Sequence, residues 1–299
     1  MTSPSPERHE LHDIDDAAAC ALVDATLGAA EEWRSLIIQY RFTSDFQAHW
    51  KAEIGHWINT ARMHGYEGRL VERVRARAND ARRRIPDKVT TEDLLYRVLL
   101  EELHPAMVAH YLLKTGWGFR AWDTPDGAGG DVDLAVTSPT GEPVDIQIKV
   151  PGTTNPLAAL EKGARQLKTS PHRTVIFVCS RDPVFVSCEP TAFLTGLVGL
   201  TIGEYGIVRL ASRGRFASED WTHVGAVALL DYIPGADWQT YACTTLLNPW
   251  CTRGAAVEAE WFPRARVLRL DTDAFRWDPV PPDRPLGLPG GTIVPDDLR

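Results

Sequence analysis

The sequence predicts an α/β protein in which a mixed sheet flanked by helices follows a helical region and precedes a β-rich extension. Three observations support this division. Residues 1–88 carry apolar residues three and four apart and no strand pattern. Residues 89–182 give the order helix, three strands, helix and strand. Residues 183–299 alternate short β-rich runs with turn residues and end in a segment rich in proline and glycine.

Length and composition indicate a globular protein. The chain has 299 residues and a formal net charge of -8, which argues against a protein that coats polyanions but leaves room for a local basic patch. No apolar run approaches the roughly 20 residues that a membrane-spanning helix needs. The N-terminus lacks the basic and apolar regions of a signal peptide. We therefore expect a cytoplasmic protein that makes no use of a membrane.

Five cysteines are spread along the chain without a CxxC pair: Cys20, Cys179, Cys188, Cys243 and Cys251. In a reducing compartment such cysteines act as small buried hydrophobes. A zinc site built from Cys179, Cys188 and a histidine is the alternative, although the spacing fits no usual ligand template. The sequence therefore favours free thiols.

The N-terminal helices end in an arginine-rich run. Helical spacing continues from Asp15 to about Arg84, and the arginines of its last part outnumber their acidic neighbours: Arg69, Arg73, Arg75, Arg77, Arg82, Arg83 and Arg84. An arginine run on a helix is most often a solvated face with salt bridges. Beside a nuclease, the same face could bind phosphates.

A further helix is predicted for TTEDLLYRVLLEELHPAMVAHYLLKTG. Thr90 resembles an N-cap, and Gly116 is placed to end the helix. Pro105 lies inside the run, and it should kink the helix or split it near His104 because proline lacks the amide donor and clashes with the preceding turn.

The next segments predict strands and turns. WGFRAWDTP and DVDLAVTS read as strands around a DGAGG turn, and TGEP is a tight turn before VDIQIKV. That last strand alternates apolar residues with Asp145, Gln147 and Lys149, which predicts one core face and one polar face. Residues 155–169 return to helical spacing, and RTVIFVCS is suited to a buried strand.

Polar side chains of the hairpin are predicted to meet on one sheet face. Asp131 and Asp133 share a face of their strand, and pairing through the TGEP turn brings Asp133 beside Gln147 and Lys149. Carboxylate and amide oxygens can hold Mg²⁺, and a lysine beside the ion can orient water and stabilise charge on a phosphate. Singly, the aspartates could cap a turn, and Gln147 and Lys149 could be a solvated face. Their combination in this order favours a nuclease site.

This combination resembles the PD-(D/E)XK nuclease superfamily and, within it, the Mrr-like restriction endonucleases. The order of elements over about residues 90–182, with Asp133 fourteen positions before Gln147 and with Lys149 two residues further on, carries the resemblance. The usual pattern has Glu or Asp two residues before the lysine, and Mrr-like members have Gln there. The resemblance implies a PD-(D/E)XK-like core for the central region.

The resemblance also implies a metal site that uses Mg²⁺, with Mn²⁺ as a substitute. It assigns Asp133, Gln147 and Asp131 to the metal, and Lys149 to the attacking water and the phosphate. Gln147 is a neutral ligand, so Asp131 or Asp145 could supply the missing charge.

The flanking helices are implied to contribute as well. Members often add an acid from the preceding helix, here Glu101 or Glu102, and we favour Glu101 because it shares a helical stripe with Val108 and Leu112. The residues expected to contact nucleic acid are Lys162, Arg165 and Gln166 on the following helix and Arg82, Arg83 and Arg84 in the arginine run.

The resulting prediction is a magnesium-dependent endonuclease that hydrolyses phosphodiester bonds, more readily assigned to DNA than to RNA, in restriction or defence against foreign DNA. Paired cuts in duplex DNA would imply a homodimer, which the sequence leaves open. Two alternatives remain. The first is a catalytically degenerate member of the fold that binds nucleic acid or acts as a scaffold. The second is a ribonuclease or toxin, which differs only in its substrate.

Overall fold

The structure is a computed structural model. It describes residues 13–27, 44–84, 88–125, 131–151, 156–180, 193–202, 208–210, 214–232, 241–251, 257–263, 265–271, 274–277 and 291–293. Contacts divide the chain into two units, residues 1–114 and residues 115–299. The region boundaries predicted after residues 88 and 182 stay predictions.

The N-terminal unit is helical, as predicted. Its helices are α1 (Asp16–Leu27), α2 (Ser44–Met63), α3 (Glu67–Arg84) and α4 (Lys88–Lys114). Trp50, Ile54 and Trp57 of α2 are fully buried, and the two indole rings meet edge to face with centroids 5.4 Å apart. Gly55 lies so close to the backbone of Ala19 in α1 that an added Cβ would overlap the Ala19 carbonyl group. The pattern of apolar residues therefore produces a packed helical core.

Helix α4 continues through Pro105 from Lys88 to Lys114. Of the two effects predicted for Pro105, the split near His104 is therefore wrong, and the kink stays a prediction. Proline removes one backbone hydrogen bond, but the turns on both sides of it are held by burial, since Leu103, Ala106 and Met107 are fully buried. Gly116, with φ of +90°, follows the end of the helix as predicted, because glycine reaches the left-handed region without a steric cost.

The C-terminal unit is a mixed sheet with helices. Nine strands of the described residues form one sheet in the order β1-β2-β3-β4-β7-β8-β9-β10-β11, and β5 and β6 form a separate pair. The strands are β1 (Gly118–Pro125), β2 (Asp131–Thr137), β3 (Pro143–Lys149), β4 (Arg173–Cys179), β5 (Leu200–Ile202), β6 (Val208–Leu210), β7 (Ala226–Tyr232), β8 (Tyr241–Leu247), β9 (Ala265–Asp271), β10 (Ala274–Trp277) and β11 (Gly291–Ile293). Strands β1, β2 and β3 are antiparallel, whereas β3, β4 and β7 are parallel.

The predicted order of helix, three strands, helix and strand is confirmed. Helix α5 (Pro156–Leu167) connects β3 to β4, as a crossover between parallel strands requires. The C-terminal part of the chain, which was predicted as a β-rich extension, adds β7 to β11 to the same sheet. The predicted DGAGG turn lies outside the described residues. None of the described helices combines the length and the apolar character that a bilayer-spanning segment requires.

The predicted polar face of β3 is not open to solvent. Gln147 pairs in register with Ile176 of β4, and Ile176 belongs to the hydrophobic cluster that also contains Leu160 and Ala164 of α5. Helix α5 therefore covers this face, and Asp145 and Gln147 are both buried. A sheet with parallel central strands is buried on both faces, so alternation in β3 did not mean exposure.

Candidate active site

Asp133 lies at the point where the β2–β3 backbone pairing ends. The register of the two strands extends from Thr137–Pro143 to Leu134–Ile146. Beyond it, Asp133 Oδ2 accepts a hydrogen bond of 2.6 Å from the backbone N–H of Ile148. The carboxylate thus takes the place of a backbone carbonyl of β2 as the acceptor for this N–H group. The contact holds the carboxylate beside the last residues of β3.

Gln147 and Lys149 lie on the same face of β3, two residues apart. The Lys149 ammonium donates a hydrogen bond to Gln147 Oε1, and its Nζ lies 4.0 Å from Asp133 Oδ2. The Gln147 side chain is fully buried, whereas the side chains of Lys149 and Asp133 are 13% and 29% exposed. One ammonium therefore contacts an amide oxygen and a carboxylate at the rim of the sheet.

Helix α5 positions the stem of Lys149 through Gly163. A Cβ added at Gly163 would lie 3.0 Å from Lys149 Cε and 3.3 Å from Lys149 Cγ, so a side chain at residue 163 would force the lysine stem to shift. The helix is in turn held by His223, whose Nε2–H donates to the carbonyl of Ala164 at 2.6 Å. The lysine is therefore held between β3 and α5.

Three effects act on the ammonium group of Lys149. Burial lowers its pKa from the ordinary value, the nearby Asp133 carboxylate opposes this, and Lys162 lowers the pKa further. Partial burial strengthens the interaction of a charge with a bound anion because little water is present to screen it. The geometry therefore places a weakly solvated positive charge next to the Asp133 carboxylate.

Asp145 does not join this group. Its Oδ2 accepts a hydrogen bond of 2.6 Å from Ser170 Oγ and lies 3.2 Å from His172 Nδ1. Because a strand rises about 3.3 Å per residue, the four residues between Asp145 and Lys149 place this carboxylate at the opposite end of β3. Asp145 therefore ties β3 to the turn before β4, and it does not supply the charge that Gln147 lacks.

The other acids that were predicted for the site belong to the N-terminal unit or have side chains outside the described part of the chain. Glu101 belongs to α4 in the N-terminal unit, and its role in the site stays a prediction. Glu102, the neighbour that was not favoured, is 7% exposed and pairs with Arg73 and Arg77. The backbone of Asp131 begins β2, and its side chain lies outside the described residues.

Of the residues predicted to contact nucleic acid, three are exposed and one is half-buried where the structure describes their side chains. Lys162 and Arg165 lie on the solvent side of α5, and Arg83 is exposed on α3. Gln166 is half-buried, and its Oε1 has no hydrogen-bond partner among the described residues. The side chains of Arg82 and Arg84 lie outside the described part of the chain. Contacts of all six residues with nucleic acid stay predictions.

The donor set is compatible with Mg²⁺ but is small. Where side chains are described, no three His, Cys, Asp or Glu residues come close enough together to hold a metal ion. The candidate ligands are the Asp133 carboxylate and Gln147 Oε1, which are oxygen donors of the kind Mg²⁺ takes while keeping several waters. An amide oxygen has two lone pairs, so Gln147 can accept the Lys149 bond and still bind an ion.

Two of the four described cysteines are buried, as predicted, and the other two are not. Cys179 and Cys243 are buried and form no disulfide among the described residues, whereas Cys20 and Cys251 are half-buried. Burial raises the pKa of Cys179 well above its ordinary value, an effect that Asp231 increases. Cys188, which the zinc alternative requires, lies outside the described residues. Buried thiols of raised pKa are poor nucleophiles, so Cys179 is a packing residue.

Two features of the molecule were missed from the sequence. Gly163 could have been found, because a glycine inside an amphipathic helix usually marks a close approach. The pairing of Arg73 and Arg77 with Glu102 had a weaker signal, the spacing of four residues between two arginines beside a buried stripe.

No family model, curated protein or solved structure matches this chain.

Proposed function

We propose that the chain is a magnesium-dependent endonuclease that hydrolyses phosphodiester bonds in DNA, on a core similar to that of the PD-(D/E)XK nucleases. The observation that supports this most is the meeting of Asp133, Gln147 and Lys149 on one face, at the rim of a mixed sheet. Such a rim, at the carboxyl ends of parallel strands β3, β4 and β7, is where open α/β sheets bind ligands. Restriction or defence against foreign DNA is the proposed setting.

Asp133 and Gln147 are the proposed ligands of the ion, and the Asp131 carboxylate is proposed to complete the site. When bound, Mg²⁺ would supply positive charge against the phosphate and activate water. Lys149 keeps the Gln147 amide oriented through its hydrogen bond. Its ammonium is also placed to stabilise the negative charge that develops on the phosphate during attack by water.

A degenerate nuclease fold that binds nucleic acid without cutting it is the second candidate. One observation favours it: Gln147 is neutral, fully buried and already bonded to Lys149. Metal binding would then depend on Asp133 and on residues that the structure does not describe. This candidate predicts nucleic-acid binding with no metal-dependent cleavage.

The test is cleavage of supercoiled plasmid, linear duplex, single-stranded DNA and RNA in the presence of Mg²⁺ or Mn²⁺. Wild type is compared with Lys149→Ala and with Lys168→Ala as a matched control, since Lys168 is 60% exposed and pairs with Asp220 away from the site. The nuclease proposal expects cutting by wild type and by Lys168→Ala, at least about 100-fold slower cutting by Lys149→Ala, and no cutting with chelator. Equal cutting by all three proteins would reject the assignment of Lys149. Metal-independent binding without cutting would support the second candidate, and preferential cutting of RNA would change the substrate class.

A further inference from the structure

A buried carboxylate in the N-terminal unit holds two arginines of α3. Glu102 of α4 accepts a hydrogen bond of 2.6 Å from Arg73 Nε on one carboxylate oxygen and one of 2.9 Å from Arg77 Nε on the other. The Arg73 guanidinium also donates to the Tyr66 hydroxyl at 2.9 Å. The two arginines are one helical turn apart, so one carboxylate fixes both guanidinium groups.

This group carries more positive charge than burial of Glu102 requires. The Glu102 side chain is 7% exposed, and one arginine is enough to neutralise a carboxylate. Glu102 is therefore bonded to one guanidinium more than its own charge requires. A backbone phosphate carries one negative charge and is the kind of anion that an exposed guanidinium binds.

The guanidinium groups remain accessible while they are held. The side chains of Arg73 and Arg77 are 40% and 51% exposed. A guanidinium has five N–H donors in a fixed plane, and the bond from Arg77 to Glu102 uses the Nε–H alone. An arginine whose plane is already fixed loses less rotamer entropy when it binds a phosphate.

The helix around the pair concentrates positive charge in an acidic protein. Helix α3 contains seven arginines and three acidic residues, whereas the whole chain has a net charge of -8. Arg69 and Arg83 are exposed on the same helix. Such segregation of charge attracts a polyanion to one surface of an otherwise repulsive molecule.

We propose that the Arg73–Arg77 face of α3 binds a backbone phosphate of DNA, with Glu102 as the residue that positions both arginines. The choice of DNA rests on the proposed function. The site belongs to the N-terminal unit, so it would add affinity for DNA independently of the residues that cleave it. Phosphate contacts of this kind carry no sequence information, and we therefore expect binding without sequence preference.

The test measures the affinity of the full chain for a short labelled duplex, with chelator present and with Lys149→Ala in every protein, so that no cleavage interferes. Arg77→Gln and Arg73→Gln are compared with Arg75→Gln. Arg75 is also exposed on α3, but it lies on another side of the helix because each residue turns it by about 100°. Arg77→Lys retains the charge and loses the planar donors, and thermal unfolding shows whether each variant is folded.

We expect Arg77→Gln to weaken binding by about tenfold and to reduce the slope of log affinity against log salt by about 1. Arg77→Lys should keep the slope and lose part of the affinity, and Arg75→Gln should change affinity less than about twofold. Equal losses for Arg77→Gln and Arg75→Gln would mean diffuse attraction and would overturn the proposal, as would wild-type affinity in Arg77→Gln. If the cleavage test succeeds but Arg77→Gln does not weaken DNA binding, the inference fails and the proposed function stands. If Arg77→Gln weakens DNA binding but no substrate is cleaved, the proposed function fails and the phosphate site stands.

Discussion

His104 of α4 should make the N-terminal unit sensitive to mild acid. The imidazole is fully buried, neither ring nitrogen has a hydrogen-bond partner among the described residues, and burial lowers its pKa from 6.5 to about 3. In the unfolded chain His104 is protonated below about pH 6.5, whereas in the native protein it stays neutral until the pH reaches about 3. Stability is full above the unfolded pKa and falls as the pH decreases through this window.

The magnitude follows from the width of that window. Each pH unit within it costs about 1.4 kcal/mol, so lowering the pH from 7 to 5 should reduce the free energy of unfolding by about 2 kcal/mol through His104 alone. His104→Gln removes the titration and keeps a buried polar group, whereas His104→Leu also removes the unsatisfied nitrogens. Both variants should lose this part of the pH dependence, and His104→Leu should be at least as stable as His104→Gln at neutral pH.

The assay is urea unfolding followed by far-ultraviolet circular dichroism, which reports mainly on the helical N-terminal unit. His110, whose pKa burial also lowers well below the ordinary value, contributes to wild type and to both variants alike. The difference between wild type and variants therefore isolates His104. An identical fall in stability between pH 7 and pH 5 for all three proteins would show that the native state protonates His104, and that the burial argument fails.

Three further predictions concern packing and the site. Gly55→Ala should destabilise the protein by about 1–3 kcal/mol because its Cβ meets the Ala19 backbone, whereas Gly68→Ala, with open space around it, should not; urea unfolding distinguishes them. Gly163→Ala should slow cleavage more than it lowers the melting temperature, because the added methyl group displaces Lys149; equal cleavage rates would refute this. Asp133→Asn should abolish Mg²⁺ binding measured by calorimetry, and unchanged binding would remove Asp133 from the ligands.

The order of elements was predictable because each one carries its own local signal. Apolar spacing predicted the helices of the N-terminal unit, turn residues between short β-rich runs predicted β1 to β3, and a continuous apolar run predicted β4. Local signals were misleading where tertiary burial outweighed them. Pro105 did not split α4, since the flanking residues are held by the core. The alternative interpretation of β3, a solvated polar face, is wrong because α5 covers that face.

The site divides in the same way. The residue types and the two-residue spacing of Gln147 and Lys149 belong to the strand itself, so the sequence determined that they share a face. Only the tertiary structure decided that Asp133 accepts the Ile148 amide and that Gly163 admits the lysine stem. Those contacts depend on where the β2–β3 pairing ends and on how closely α5 approaches the sheet, which are properties of distant segments packed together. The local sequence signals at most that a glycine in α5 permits a close approach, and it does not identify the lysine stem as the neighbour.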